Sequence, residues 1–184
     1  MKKLLIIFLV LAVSGSLAWA ALTSTTTLRI VTNFTSAADL STAVDNLNLS
    51  RNISFTSGTS ANQIEVIYHD QRSLADDANE VLDFYASGSL LDPLGTALTM
   101  TKLKYLYVKN TTASGGASLN IGGGAVAVGI FDSYTDILVL PPQGTLLLTW
   151  PSGLTITTNK DLNLLHDGTG TAACTYDIIA MGND

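Results

Sequence analysis

The chain has 184 residues, with nine basic and fifteen acidic side chains, a formal charge of −6, 47% apolar residues and only 13% charged ones. That length suits one domain with a real core, and the acidic balance with scattered Lys and Arg argues against a nucleic-acid surface, which needs clustered cations. A single cysteine, Cys174, rules out an intrachain disulfide, so stability must come from packing.

Met1-Lys2-Lys3 is a basic n-region, Leu4 to Val13 an unbroken apolar run, and Ala18-Trp19-Ala20 an A-x-A cleavage site. This reads as a Sec-type signal peptide over residues 1–20, with Ala21 as the mature start. The apolar run is shorter than the roughly 20 residues a membrane-spanning helix needs. Export to the periplasm, the cell surface or the medium is therefore expected. Cleavage removes Lys2 and Lys3, leaving seven basic against fifteen acidic side chains, a formal −8.

Residues 21–46 read as an N-terminal extended arm or strand followed by an irregular segment. Thr23 to Val31 is Thr-rich and extended, suited to an ordinary first strand or to an arm that pairs with a neighbouring subunit. From Ser36 to Leu49 the spacing of Ala37, Leu40, Val44 and Leu47, with Ser36 and Asp39 placed as a capping box, predicts a short helix or irregular segment. A strand over Leu47–Thr56 and a turn at Ser57-Gly58-Thr59-Ser60 follow.

The stretch from Asn62 to Asn110 is the most informative. Ile64–Tyr68 is β-branched and aromatic, and the polar run His69–Ser73 is expected to end it. Ala75–Glu80 reads as a turn and Val81–Ala86 as a second strand. Asp92-Pro93-Leu94-Gly95 has turn chemistry. In the third strand, Leu98–Val108, alternation places Lys102 and Lys104 on a solvent face. A change of phase near Thr101–Lys102 predicts a β-bulge.

Beyond Asn110, strands are expected at 117–121 and 125–128, joined as a hairpin by Gly122-Gly123-Gly124. Further strands are expected at 137–140, 144–150 (stopped by Pro151), 154–158, 162–165 and 174–181. About 9–11 short strands at a spacing of about 8–12 residues mark an all-β, antiparallel β-sandwich or jelly-roll-like fold. It is assigned to residues 47–184.

The motifs His-Asp-Gln-Arg-Ser-Leu-Ala (69–75), Leu-Asp-Phe (82–84), Gly-Ser-Leu-Leu-Asp-Pro-Leu-Gly (88–95) and Val-Lys-Asn (108–110) carry a resemblance. So do Ile121-Gly122-Gly123, Pro141–Gly144 with the apolar strand after it, and Thr175–Ile179. Together they resemble small virion-associated proteins encoded beside the head and tail structural genes of tailed bacteriophages and prophages. The match spans roughly Leu47 to Gly182 and rests on turn and strand motifs. It implies a β-sandwich structural subunit of a virion. This chain departs from that pattern in carrying an export signal.

No constellation points to catalysis. His69-Asp70 and His166-Asp167 are adjacent pairs of the kind found at turns and strand ends, and no Gly-x-Ser-x-Gly elbow accompanies them. Two separated histidines and one cysteine do not make a zinc set. Asp70, Asp76, Asp77, Glu80 and Asp83 lack calcium-loop spacing and read as solvated turn carboxylates. No cofactor, no metal and no enzyme activity are expected. The candidate ligand or assembly contacts are the aromatics Trp150, Tyr134 and Tyr107. The expected role is an exported structural subunit, forming a homo-oligomer or joining other virion or surface proteins through β-edges and apolar faces. The alternative is a secreted sandwich module that binds carbohydrate or another surface.

Overall fold

The computed structural model describes residues 21–38, 41–86, 88–124, 126–131, 135–168 and 172–184. Residues 1–20, where a signal peptide is expected, and Tyr134 lie outside these residues. Among the described residues there are eleven strands and no helix. The all-β, antiparallel expectation holds, and where a short helix or irregular segment was expected between Ser36 and Leu49 the described residues are strand.

β1 (Ser24–Ala38) and β2 (Ser41–Ser57) pair antiparallel along their whole length, from Ser24↔Phe55 to Ala38↔Ser41. At about 3.4 Å per residue this ribbon is roughly 50 Å long. The helical spacing of Leu40, Val44 and Leu47 is overridden because β2 pairs residue for residue with a Thr-rich, β-branched β1. The ribbon continues to Ser57, past the boundary expected at Asn46. β3 (Gln63–Ile64) adds a short parallel contact at its base.

The remaining strands are β4 (Val66–Leu74), β5 (Asn79–Asp83), β6 (Lys102–Asn110), β7 (Leu119–Gly122), β8 (Ile137–Leu140), β9 (Thr145–Thr155), β10 (Asp161–His166) and β11 (Cys174–Asn183). They form two four-stranded sheets in the orders β4-β11-β6-β9 and β5-β10-β7-β8. The antiparallel partners are nested: β4 with β11, β5 with β10, β6 with β9, β7 with β8. This is the order obtained by rolling one long hairpin into two facing sheets, the jelly roll. Alternation builds the core between them. Cys174, Tyr176, Ile178 and Ala180 of β11 face inward opposite Leu162 and Leu164 of β10, while Thr175, Asp177 and Ile179 face out.

Five local expectations are corrected. The polar run His69–Ser73 does not end a strand, because β4 passes straight through it. β4 is an edge strand, its outward residues His69, Gln71 and Ser73 are exposed, and its inward Arg72 is satisfied by partners described below. Lys104 is not on a solvent face but fully buried. The bulge lies at Lys104 itself. The β6–β9 register jumps from Leu103↔Leu154 to Tyr105↔Thr149, so Trp150–Gly153 stand opposite this one residue. The lysine amine turns inward and donates to the carbonyls of Thr59, Ser60 and Gln63 at 3.3, 2.7 and 2.6 Å. β9 therefore continues past Pro151, which occupies the bulge, where a missing N–H is tolerated. Finally, Gly122-Gly123-Gly124 turn with φ of +104°, +75° and +123°, but β7 pairs with β8 and β10 rather than with residues 125–128. Among the described residues of that segment, an isolated bridge forms at Ala127↔Asp161.

Candidate functional site

The ribbon is the part of the molecule whose surface the fold leaves unfinished. The β1–β2 register sorts its side chains onto two faces. One face carries the pairs Ser24/Phe55, Thr26/Ile53, Leu28/Arg51, Ile30/Leu49, Thr32/Leu47 and Phe34/Asp45. The other carries Thr25/Ser54, Thr27/Asn52, Arg29/Ser50, Val31/Asn48, Asn33/Asn46 and Thr35/Val44, with Val31 and Val44 exposed. The ribbon is thus amphipathic, apolar on the first face and Ser/Thr/Asn-rich on the second. Thr27 Oγ1 donates to Asn52 Oδ1 at 3.0 Å across the polar face.

The base of the apolar face is packed against the roll. Phe55 is buried and meets Tyr105 edge-on, with ring centroids 6.3 Å apart. Thr26 Oγ1 donates to the Tyr105 hydroxyl at 3.1 Å. Leu22 and Ile53 complete a second apolar cluster with Ile64, Met181, Ile67 and Tyr107 on the outside of the β4-β11-β6-β9 sheet. Beyond Thr26/Ile53 the same face continues without cover. Leu28 is 46% exposed, Ile30 40%, Leu47 48% and Phe34 67%. This row of large apolar side chains is the most extended exposed apolar feature of the ribbon's first face.

Of the expected aromatic contacts, Tyr107 and Trp150 stand in different apolar clusters, and Tyr134 is outside the described residues. Tyr107 is half-buried on the outer sheet face, beside a shallow cleft with His69, Asp70, Gln71, Asp177 and Ile179. Trp150, in the β9 bulge, packs instead against the core between the sheets. The ribbon, the feature that sequence reasoning underrated, had one available signal: alternation of Leu47, Leu49, Ile53 and Phe55 on β2 in phase with Leu28 and Ile30 on β1.

A network of polar side chains ties the two sheets of the roll together. Arg72 of β4 donates from Nε to Glu80 Oε2 at 2.9 Å and makes a second, short contact with Glu80 Oε1 on β5. Tyr176 of β11 donates to Glu80 Oε2 at 2.7 Å, and Arg72 also reaches Asp70 at 2.7 Å and the Tyr68 hydroxyl at 3.1 Å. β4 and β11 belong to one sheet and β5 to the other, so this network clamps the two edges of the roll. Hydrogen bonding to Glu80 raises the Arg72 pKa further, and burial, then the Glu80 hydrogen bond, push the Tyr176 phenol up. Both groups are locked in one protonation state, which suits a structural clamp.

The histidines are likewise structural in setting. His166 ends β10, with Nδ1 accepting from the Gly168 amide at 3.0 Å and Nε2 3.0 Å from the Ala172 carbonyl. His69 is exposed on β4. Cys174 is buried at the start of β11, and burial raises its thiol pKa, the opposite of a reactive thiolate. Among the described residues, no group of three or more His, Cys, Asp or Glu side chains is placed to hold a metal ion. No family model, curated protein or solved structure matches this chain.

Proposed function

We propose that this protein is an exported structural subunit that joins a larger assembly through its β1–β2 ribbon. The observation that carries this is the ribbon's apolar face, buried at its base on the roll and left open from Leu28 to Phe34. A lone two-stranded ribbon is marginal in water, and three or more strands or an apolar support are needed for independent stability. An added surface supplied by another molecule provides that support.

Two further points support the reading. The sequence resembles virion-associated phage proteins in its turn motifs, and the signal-like segment 1–20 suits a protein that acts outside the cytoplasm. The jelly roll itself serves both capsid subunits and lectin-like domains, so the fold alone favours neither role. The ribbon favours assembly. The glycan-binding alternative draws less support, since Trp150 and Tyr107 pack into separate apolar clusters rather than onto one platform.

The test compares residues 21–184 with a variant in which 28–51 are replaced by Asn-Gly. The shortened hairpin keeps Thr26, Ile53 and Phe55, so the packed base is preserved. Light scattering and negative-stain microscopy are expected to show a defined oligomer or filament for the full ribbon and a folded monomer for the short one. An unchanged oligomer without the ribbon, or a monomer at high concentration with it, overturns the proposal.

A further inference from the structure

We propose that the ribbon of each copy docks on the roll of the next copy, on the outer face of the β5-β10-β7-β8 sheet, with Phe34 seated in the cleft between Val81 and Ile137. This rests on the assembly reading above and names both the partner and the seat. The contact is head-to-tail: the two surfaces differ, and each copy gives one ribbon and receives one, which joins successive copies into a ring or a filament.

The seat is the face of the roll turned away from the chain's own ribbon. The ribbon base packs on the outside of the β4-β11-β6-β9 sheet. The other sheet lies across the core, so its outer face points the opposite way. Register and alternation line that face with two rows: Asn79, Leu165, Asn120, Val139 and Val81, Asn163, Gly122, Ile137. Neither row carries a charge, and Val81, Ile137 and Val139 are each about half exposed. A cleft of about 350 Å³ opens here, walled by Val81, Leu165 and Ile137, and glycines 122–124 contribute no side chains to fill it.

The ribbon has the reach and the knob. At about 3.4 Å per residue, Phe34 stands roughly 27 Å beyond Thr26, which is bonded to the roll. The distal rows are exposed on both faces, Phe34 and Leu47 on one, Val31 and Val44 on the other, so this stretch stands clear of its own roll. The ribbon has two aromatic side chains, both on the first face. Phe55 is buried against the outside of a sheet, edge-on to Tyr105. Phe34 is left open, and a neighbour's sheet offers it the same kind of seat. The valines of the other face stand beside the polar Asn48 and Thr35, whereas Phe34 shares its face with Leu28, Ile30, Leu47 and Leu49.

The polar groups match as well. Asp45 pairs with Phe34 across the ribbon, is exposed, and has no ion-pair partner among the described residues. Beside the cleft, the side-chain amides of Asn79 and Asn163 have no hydrogen-bond partner among the described residues. Directly paired side chains stand about 5 Å apart, so seating Phe34 brings the Asp45 carboxylate to these amide donors. Asn79 and Asp83 occupy the two ends of β5, roughly 13 Å apart, so a carboxylate on Asn79 avoids Asp83 and its neighbour Asp161.

The test separates knob from seat on residues 21–184, read by sedimentation equilibrium, with circular dichroism to confirm folding. V81E/I137E keeps the ribbon but sets carboxylates on both walls of the cleft, at exposed positions that repel Asp45. The variant with 28–51 replaced by Asn-Gly keeps the cleft but has no knob. Each alone is expected to be monomeric, and an equimolar mixture to form a 1:1 complex and nothing larger. In the parent, F34S is expected to weaken association at least tenfold, and V31N, on the other ribbon face, to leave it unchanged. A V81E/I137E variant that associates as the parent does, a mixture that stays monomeric, or a loss from V31N equal to that from F34S overturns the docking. The assembly reading is judged separately: if the 28–51 replacement abolishes association while V81E/I137E does not, the ribbon docks elsewhere and only the head-to-tail seat falls. If the replacement has no effect, or the parent is monomeric at high concentration, both readings fall.

Discussion

Replacing Glu80 with Ala tests whether the two edges of the roll are clamped or merely adjacent. The carboxylate accepts from Arg72 on β4 and from Tyr176 on β11, while itself sitting on β5 of the facing sheet. Its loss leaves the Tyr176 hydroxyl, on a fully buried side chain, without its acceptor, at a cost of about 1–2 kcal/mol. Arg72 keeps Asp70, and its pair with Glu80 is partly wet, with side chains 31% and 21% exposed. Its share is therefore taken at about 1 kcal/mol, near the value for a surface pair. Together these give about 2–3 kcal/mol, or a fall in Tm of roughly 5–10 °C for a protein of this size. Urea denaturation and scanning calorimetry measure the loss, and a double-mutant cycle assigns it. Tyr176→Phe is expected to cost about 1 kcal/mol in the parent and close to nothing in the Glu80→Ala background. A loss below about 0.5 kcal/mol would show that the contact is an ordinary surface ion pair. Additive costs in the cycle would show that Tyr176 is held by something else.

Lys104→Met keeps the apolar stem but leaves the carbonyls of Thr59, Ser60 and Gln63 without their shared donor. A loss of about 2 kcal/mol is expected, with faster amide exchange concentrated in residues 58–64. Wild-type exchange rates there would show that water replaces the ammonium without cost. Acid stability should reflect Asp83: burial raises its pKa, but Lys160 and the amides of Ala86 and Tyr85 outweigh this and hold it below the ordinary 3.8. With the folded value depressed, the stabilisation is complete above the ordinary value and lost as pH falls through the folded one. Asp83→Asn is therefore expected to flatten the stability profile below about pH 4. An unchanged acid limb contradicts this.

The strands that the sequence reveals are those whose neighbours impose plain alternation. β8, β10 and β11 fall within two residues of expectation, because each is paired on ordinary ladders and buries alternate positions. β4 was hidden because two of its inward positions are Asp70 and Arg72, and polarity looks like a strand end unless the clamp partner on another strand is known. Lys104 was misplaced for a related reason. Its acceptors are three backbone carbonyls, which have no signature in a sequence. The ribbon was ambiguous because Leu40, Val44 and Leu47 fit a helical spacing and only the long pairing with β1 decides otherwise. Of the three aromatics expected to form contacts, Trp150 was drawn into the core by a bulge created opposite Lys104, a coupling of two distant segments.

The position of β11 has a consequence for the order of events during synthesis. It is the eleventh strand to be made, yet it lies between β4 and β6 and is hydrogen-bonded to both. Until residues 174–183 have emerged, β4 has no ladder partner and nothing joins it to β6 in its sheet. The roll therefore has a high contact order, while the ribbon is built from neighbouring segments and gains the support at its base only when β6 and β11 of the roll are in place. On the export route proposed above, a chain still threading through a translocation channel would leave β4 unpaired, so that its sheet completes only after the last strand has crossed.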